Sequence, residues 1–121
     1  MKVIIDLIED IRSAINNDGG FTLSAMGLKE DENRAFVPVW QSDINQYKID
    51  DNKNKIFFFL GQGKGLCIAR LLEDLNTLDN KTMMYEVCVS YLKENSRVDA
   101  SLVGFGESIE ERKYRLFISE N

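Results

Sequence analysis

A chain of 121 residues, 44% hydrophobic and 29% charged, has the size and balance of one globular domain, which excludes a disordered or membrane-embedded class and makes disulfides or metal unnecessary for folding. No apolar run nears the roughly 20 residues of a membrane span, and acidic residues follow Met1 too soon for a signal-peptide core, so the expected compartment is the cytoplasm. The net charge of −5 falls entirely in residues 1–51, where ten acids face five bases; with no basic stripe carrying interleaved aromatics, direct nucleic-acid binding is excluded, and the acidic half suits either plain solubility or a partner protein that is itself basic.

Residues 3–17 place Ile4, Leu7, Ile8, Ile11, Ala14 and Ile15 at three- and four-residue steps, which predicts an amphipathic helix; Asn16 to Gly20 supply its stop. Residues 21–28 alternate like a strand, a polar turn follows at Glu30 to Asn33, and residues 35–40 complete a hairpin. Pro38 lacks a backbone donor, so it marks an edge strand or a bulge. A short strand is read at 44–49, and a polar turn at 50–54. The run Ile56-Phe57-Phe58-Phe59-Leu60 reads as a central strand covered on both faces. A second helix is expected at 66–78 on the stripe Ile68, Leu71, Leu72, Leu75 and Leu78. Strands at 83–91, 98–105 and 114–119 finish the chain, and no internal repeat is read from the sequence. The expectation is a single α+β domain over 1–121, a largely antiparallel sheet of five to seven strands with the two helices packed on it.

The chain contains no histidine, which removes Ser-His-Asp and Cys-His nucleophiles, the commonest general base near neutral pH and most zinc sites. Cys67 and Cys88 are far apart and read as reduced, buried, small apolar residues. The carboxylate groups Glu9/Asp10, Glu30/Asp31/Glu32, Asp50/Asp51 and Glu110/Glu111 fall on a polar helix face and in turns, where water keeps their acidity ordinary. Asp50 to Asn54 lacks the ligand order and closing Glu of a calcium loop. No metal ligand set and no cofactor is expected.

Gly61-Gln62-Gly63-Lys64-Gly65 lies between the Phe-rich strand and the second helix, where free N–H groups can cradle a phosphate. It is neither a Walker loop nor a dinucleotide fingerprint. The stretch Gln62-Gly63-Lys64-Gly65-Leu66-Cys67 resembles the pyrophosphate loop of the GNAT acyl-CoA transferases, Gln/Arg-x-x-Gly-x-Gly/Ala, with Asn95 and Gly104-Phe105 echoing later family positions. That resemblance implies CoA contacts at Gln62, Gly63, Lys64 and Gly65, with catalysis by positioning. Cys67 in the final small position, Arg70 on the helix and only about 60 preceding residues depart from the family pattern. The plainer reading is a glycine turn joining strand to helix.

Trp40, at the end of the Pro38 run, reads either as core or as an exposed contact anchor. The leading expectation is a non-catalytic, acidic protein-binding module, an inhibitor or immunity protein that meets a basic surface of a toxin, nuclease or host-defence protein. Its expected contact residues are Glu30, Asp31, Glu32, Trp40, Asp43, Asp50 and Asp51. A truncated acyl-CoA-binding enzyme is the alternative, and self-association into a homo-oligomer is left open.

Overall fold

The computed structural model describes residues 1–15 and 20–120. Its elements run α1 (Ile4–Ile15), β1 (Thr22–Glu30), β2 (Phe36–Asp50), β3 (Lys55–Leu60), α2 (Ile68–Leu75), a 3-10 turn (Thr82–Met84), β4 (Glu86–Lys93), β5 (Ser96–Ser108) and β6 (Lys113–Ser119). The expected helix stop at Asn16 to Gly19 lies outside the described residues.

The six strands close into a barrel in sequence order, β6 returning to pair with β1. This corrects the expected open, largely antiparallel sheet with helices on its face. The sheet is mixed: β3–β4 and β1–β6 are parallel ladders, and the other four are antiparallel. Closure satisfies ladder groups that an open sheet leaves unpaired at its two edges.

Two long, bent strands make closure possible. The first half of β2 pairs with β1 and its second half with β3, the register shifting between Ile44 and Gln46. Similarly, β5 pairs first with β4 and then with β6, shifting between Leu102 and Gly104. A bulge bends a strand and increases its twist, so each long strand turns a corner and serves two neighbours. The sequence shows the break within β2 as two short runs, 35–40 and 44–49; the break is a bend within one strand. Pro38 stands beside a second bulge, opposite Gly27 and Leu28.

The interior is filled by alternate residues of the strands, among them Leu23, Ala25, Ile44, Phe58, Val89 and Leu116, each fully buried. Both helices plug one end of the barrel, with Ile4, Leu7, Ile8 and Ile11 from α1 and Ile68, Leu71 and Leu75 from α2 joining the same core. Each such side chain contributes about 1.5–3 kcal/mol by leaving water. The Ile4 N–H donates to the Tyr85 carbonyl (3.1 Å), just before β4, and the Ile68 N–H to the Phe21 carbonyl (3.0 Å), just before β1. The helices therefore close the end where β1, β3, β4 and β6 begin. The opposite end, where those strands finish, is the mouth.

The order of elements is also a recurrence, a helix and three strands followed by a helix and three strands. One further difference concerns the thiols: Cys88 is buried as expected, and Cys67 is exposed.

Candidate functional site

At the mouth, side chains from β2, β4 and the residue after β6 converge. Trp40 pairs with Gly27 across the β1–β2 ladder. A Cβ on Gly27 would lie 2.3 Å from the Trp40 indole nitrogen, so only glycine admits the ring here. Tyr91 meets Trp40 with ring centroids 5.2 Å apart at 51°. Glu120 extends the β6–β1 ladder by donating its N–H to the Leu28 carbonyl (2.7 Å), which aims its carboxylate at the ring pair. That carboxylate accepts hydrogen bonds from the Tyr91 hydroxyl and the Lys93 ammonium, the latter at 3.0 Å.

These groups, with Leu60, Leu92 and Arg97, line a cleft of about 520 Å³. The Arg97 guanidinium lies over the Phe59 ring (5.8 Å) and reaches the Ser90 hydroxyl at 3.4 Å. Burial pushes the Tyr91 hydroxyl up to about 12, helped by its bond to Glu120. Burial acts upward on the Glu120 carboxyl as well, but Tyr91, Lys93 and the Trp40 indole together outweigh it and the net shift is downward. Neither group changes charge near neutral pH. The cluster is suited to holding two aromatic rings in place rather than to moving protons.

Beside the mouth stands the β1–β2 hairpin. Glu30, Asp31 and Glu32 are exposed at its tip, and Phe36, Val37 and Val39 on β2 are 57%, 39% and 49% exposed. Asp31 shapes the turn, its carboxylate accepting from the N–H groups of Asn33 (2.8 Å) and Ala35 (2.9 Å). Trp40 is half-buried, against the core on one side and the cleft on the other.

The other expected contact residues lie apart. Asp43 is half-buried within β2 and pairs with Lys113 at 3.1 Å. Asp50 ends β2 at the helix-plugged end and Asp51 follows it in the turn, with the length of that strand between them and the Glu30 hairpin. Asp50 accepts from the Asn52 and Lys53 N–H groups at 3.0 and 3.1 Å, and Asp51 accepts the Tyr85 hydroxyl at 2.7 Å. The expected set is thus two clusters at opposite ends, and only Glu30, Asp31, Glu32 and Trp40 share the mouth.

The glycine loop runs back from the end of β3 to the start of α2. The Gly61 and Leu66 N–H groups donate to Asp43 and Ile44 carbonyls, at 3.2 and 2.8 Å. A Cβ on Gly65 would lie 2.6 Å from the Leu23 carbonyl oxygen, and Gly63 has φ +104°. Asn45 donates to the Gln62 carbonyl at 2.9 Å. Each glycine therefore has a reason in the fold. Lys64 and Gly65 also border a hollow of about 420 Å³ with Tyr47, Cys67, Arg70 and Asp74. The Cys88 thiol is pushed up to about 11 by burial and stays protonated. Among the described residues no cluster of three or more Cys, Asp or Glu is placed to hold a metal, and no helix is long and apolar enough to cross a membrane.

Tyr91, Lys93, Arg97 and Glu120 were not singled out by sequence. Tyr91 ends a clean strand alternation and looks like core, while Glu120 acquires meaning only once β6 is laid beside β1. No protein-family model matches the chain, and neither a curated protein nor a solved structure matches it.

Proposed function

We propose that the protein is a non-catalytic binding module that captures another protein with the mouth end of its barrel. The acidic hairpin meets a basic surface of that partner, in the manner of a cytoplasmic inhibitor or immunity protein acting on a toxin, nuclease or host-defence protein. The observation that carries this reading is the exposed apolar run Phe36, Val37 and Val39 beside Glu30, Asp31 and Glu32. Exposed apolar residues rimmed by charge are what a protein interface uses. The described ladders give this half of β2 one strand neighbour, β1, so its other edge has unpaired backbone groups to offer. Asp50 and Asp51 are dropped from the surface because the helix end holds them in turns.

The test is capture from a lysate by the immobilised chain, compared with the double variant Glu30→Lys/Glu32→Lys. Asp31 is kept because it builds the turn. Proteins retained by the parent at low salt should be released by the variant and by raised salt. Equal retention by both chains would sink the proposal.

A further inference from the structure

We infer that the chain is two copies of one αβββ unit joined in tandem, and that the acidic hairpin is an element added to the first copy which the barrel does not need. The correspondence holds bond by bond. The isolated bridge Val3–Glu86 recurs as Cys67–Thr22, each partner moved by 64 residues onto the other copy's counterpart. The Val87 N–H donates to the Lys2 carbonyl as the Leu23 N–H does to Leu66, both at 2.8 Å. The Glu86 N–H donates to Asn54 at 3.2 Å as the Thr22 N–H does to Arg112 at 3.1 Å. Asn54 and Arg112, each the last residue of a turn, share φ of 55° and 54°.

The long strands agree in register. From Ile44–Leu60 to Asp50–Lys55, the β2–β3 ladder maps pair for pair onto Leu102–Ile118 to Ser108–Lys113, including the skipped residue, with a shift of 58. In sequence, Ile4, Leu7, Glu9 and Asp10 match Ile68, Leu71, Glu73 and Asp74, and Leu28-Lys29-Glu30 matches Leu92-Lys93-Glu94.

The shift is 64 up to β1 and 58 from β2 onward, so the first copy carries six more residues, all between Gly27 and Trp40. Tyr91 and Val98, their counterparts, are joined by a tight hairpin in which Glu94 and Asn95 have φ of 50° and 66°, a two-residue type I′ turn. The surplus in the first copy is the hairpin tip with Asp31, Glu32 and Phe36, together with the bulge opposite Gly27 and Leu28, while Glu30 corresponds to Glu94. A segment that one copy has and the other lacks is not required to close the barrel. Such an element is free to serve contact alone, which rests on the binding reading above and assigns it to this hairpin.

The experiment replaces residues 30–38 by Glu-Asn-Ser, copying residues 94–96, in the full chain. A second version carries Asn-Gly as the turn, in case the first joins poorly. At least one version should unfold cooperatively within about 5 °C of the parent and keep the Trp40 emission of the folded state, while losing the lysate proteins the parent retains. Loss of cooperative unfolding in both versions overturns the inference, since the hairpin then belongs to the fold. A folded variant that still retains the parent's proteins leaves the duplication standing and sinks the contact role, and the proposed function with it.

Discussion

The two copies solve the same packing problem with opposite choices. In the first, small Gly27 on β1 faces large Trp40 on β2; in the second, large Tyr91 on β4 faces Val98 on β5. The two large rings meet at the mouth at 5.2 Å, where the copies adjoin. The difference teaches that the mouth is where the copies have diverged, while the helix-plugged end has kept its pattern. Ile4, Leu7 and Ile11 fill there what Ile68, Leu71 and Leu75 fill on the other side.

The largest expected effect tests that shared pattern. Leu7→Ala and Leu71→Ala remove equivalent side chains that are 0% and 2% exposed. Each should cost about 2–5 kcal/mol in urea unfolding, and the two values should agree within about 1 kcal/mol. A wide gap would mean that the copies carry unequal shares of the core.

Gly27→Ala attacks the divergent end. The new Cβ must displace the Trp40 ring, which should cost about 1–3 kcal/mol and shift the Trp40 emission. At the equivalent ladder position Tyr91 already bears a side chain, so Val98→Ala, which trims a half-buried residue, should cost less and leave the emission unchanged.

The amphipathic stripes of both helices, the hairpin, the turn at 50–54 and the alternation of β4 were legible in the sequence. The recurrence itself was in plain sight in Ile4/Leu7/Glu9/Asp10 and Ile68/Leu71/Glu73/Asp74. It escaped because the spacing changes from 64 to 58 at the hairpin, so no single period covers the chain. Barrel closure was illegible for another reason: the β1–β6 ladder joins the two ends of the chain, and a local pattern carries no information about so distant a pairing. Of the candidate site, sequence found the hairpin acids and Trp40. It grouped them with Asp50 and Asp51 because charge was counted along the chain, where a 15-residue strand keeps them apart in space.

Titration sharpens the comparison at the mouth. Glu120 has its acidity held below the ordinary carboxylate value, so its contribution to stability is full above that ordinary value and is lost as pH falls through the folded-state one. Glu120→Gln should flatten the acid limb of stability against pH and loosen Trp40. Tyr91 works in the opposite window: its protonated form is favoured by folding, so its contribution is full below the ordinary value of 10.0 and fades as pH rises toward about 12. Absorbance titration should therefore show Tyr91 ionising late. Tyr114, buried at the helix end and bonded to Asp10, is shifted up further still and should ionise after it.

The smallest effect lies at the helix starts, where the copies differ by one charge. Asp6, the third residue of α1, accepts the Val3 N–H at 3.0 Å and places a carboxylate at the positive end of the helix. Its counterpart on α2 is Arg70, and Cys67 at the N-cap makes no side-chain cap bond. A cation at that end opposes the helix dipole. Asp6→Ala should therefore cost about 1 kcal/mol. Arg70→Asp, which gives α2 the carboxylate that α1 has, should gain about 0.3–1 kcal/mol at low ionic strength and lose that gain in salt. If Arg70→Asp destabilises the chain, equivalent positions in the two copies do not obey one set of local rules. The correspondence would then hold for the backbone ladders alone.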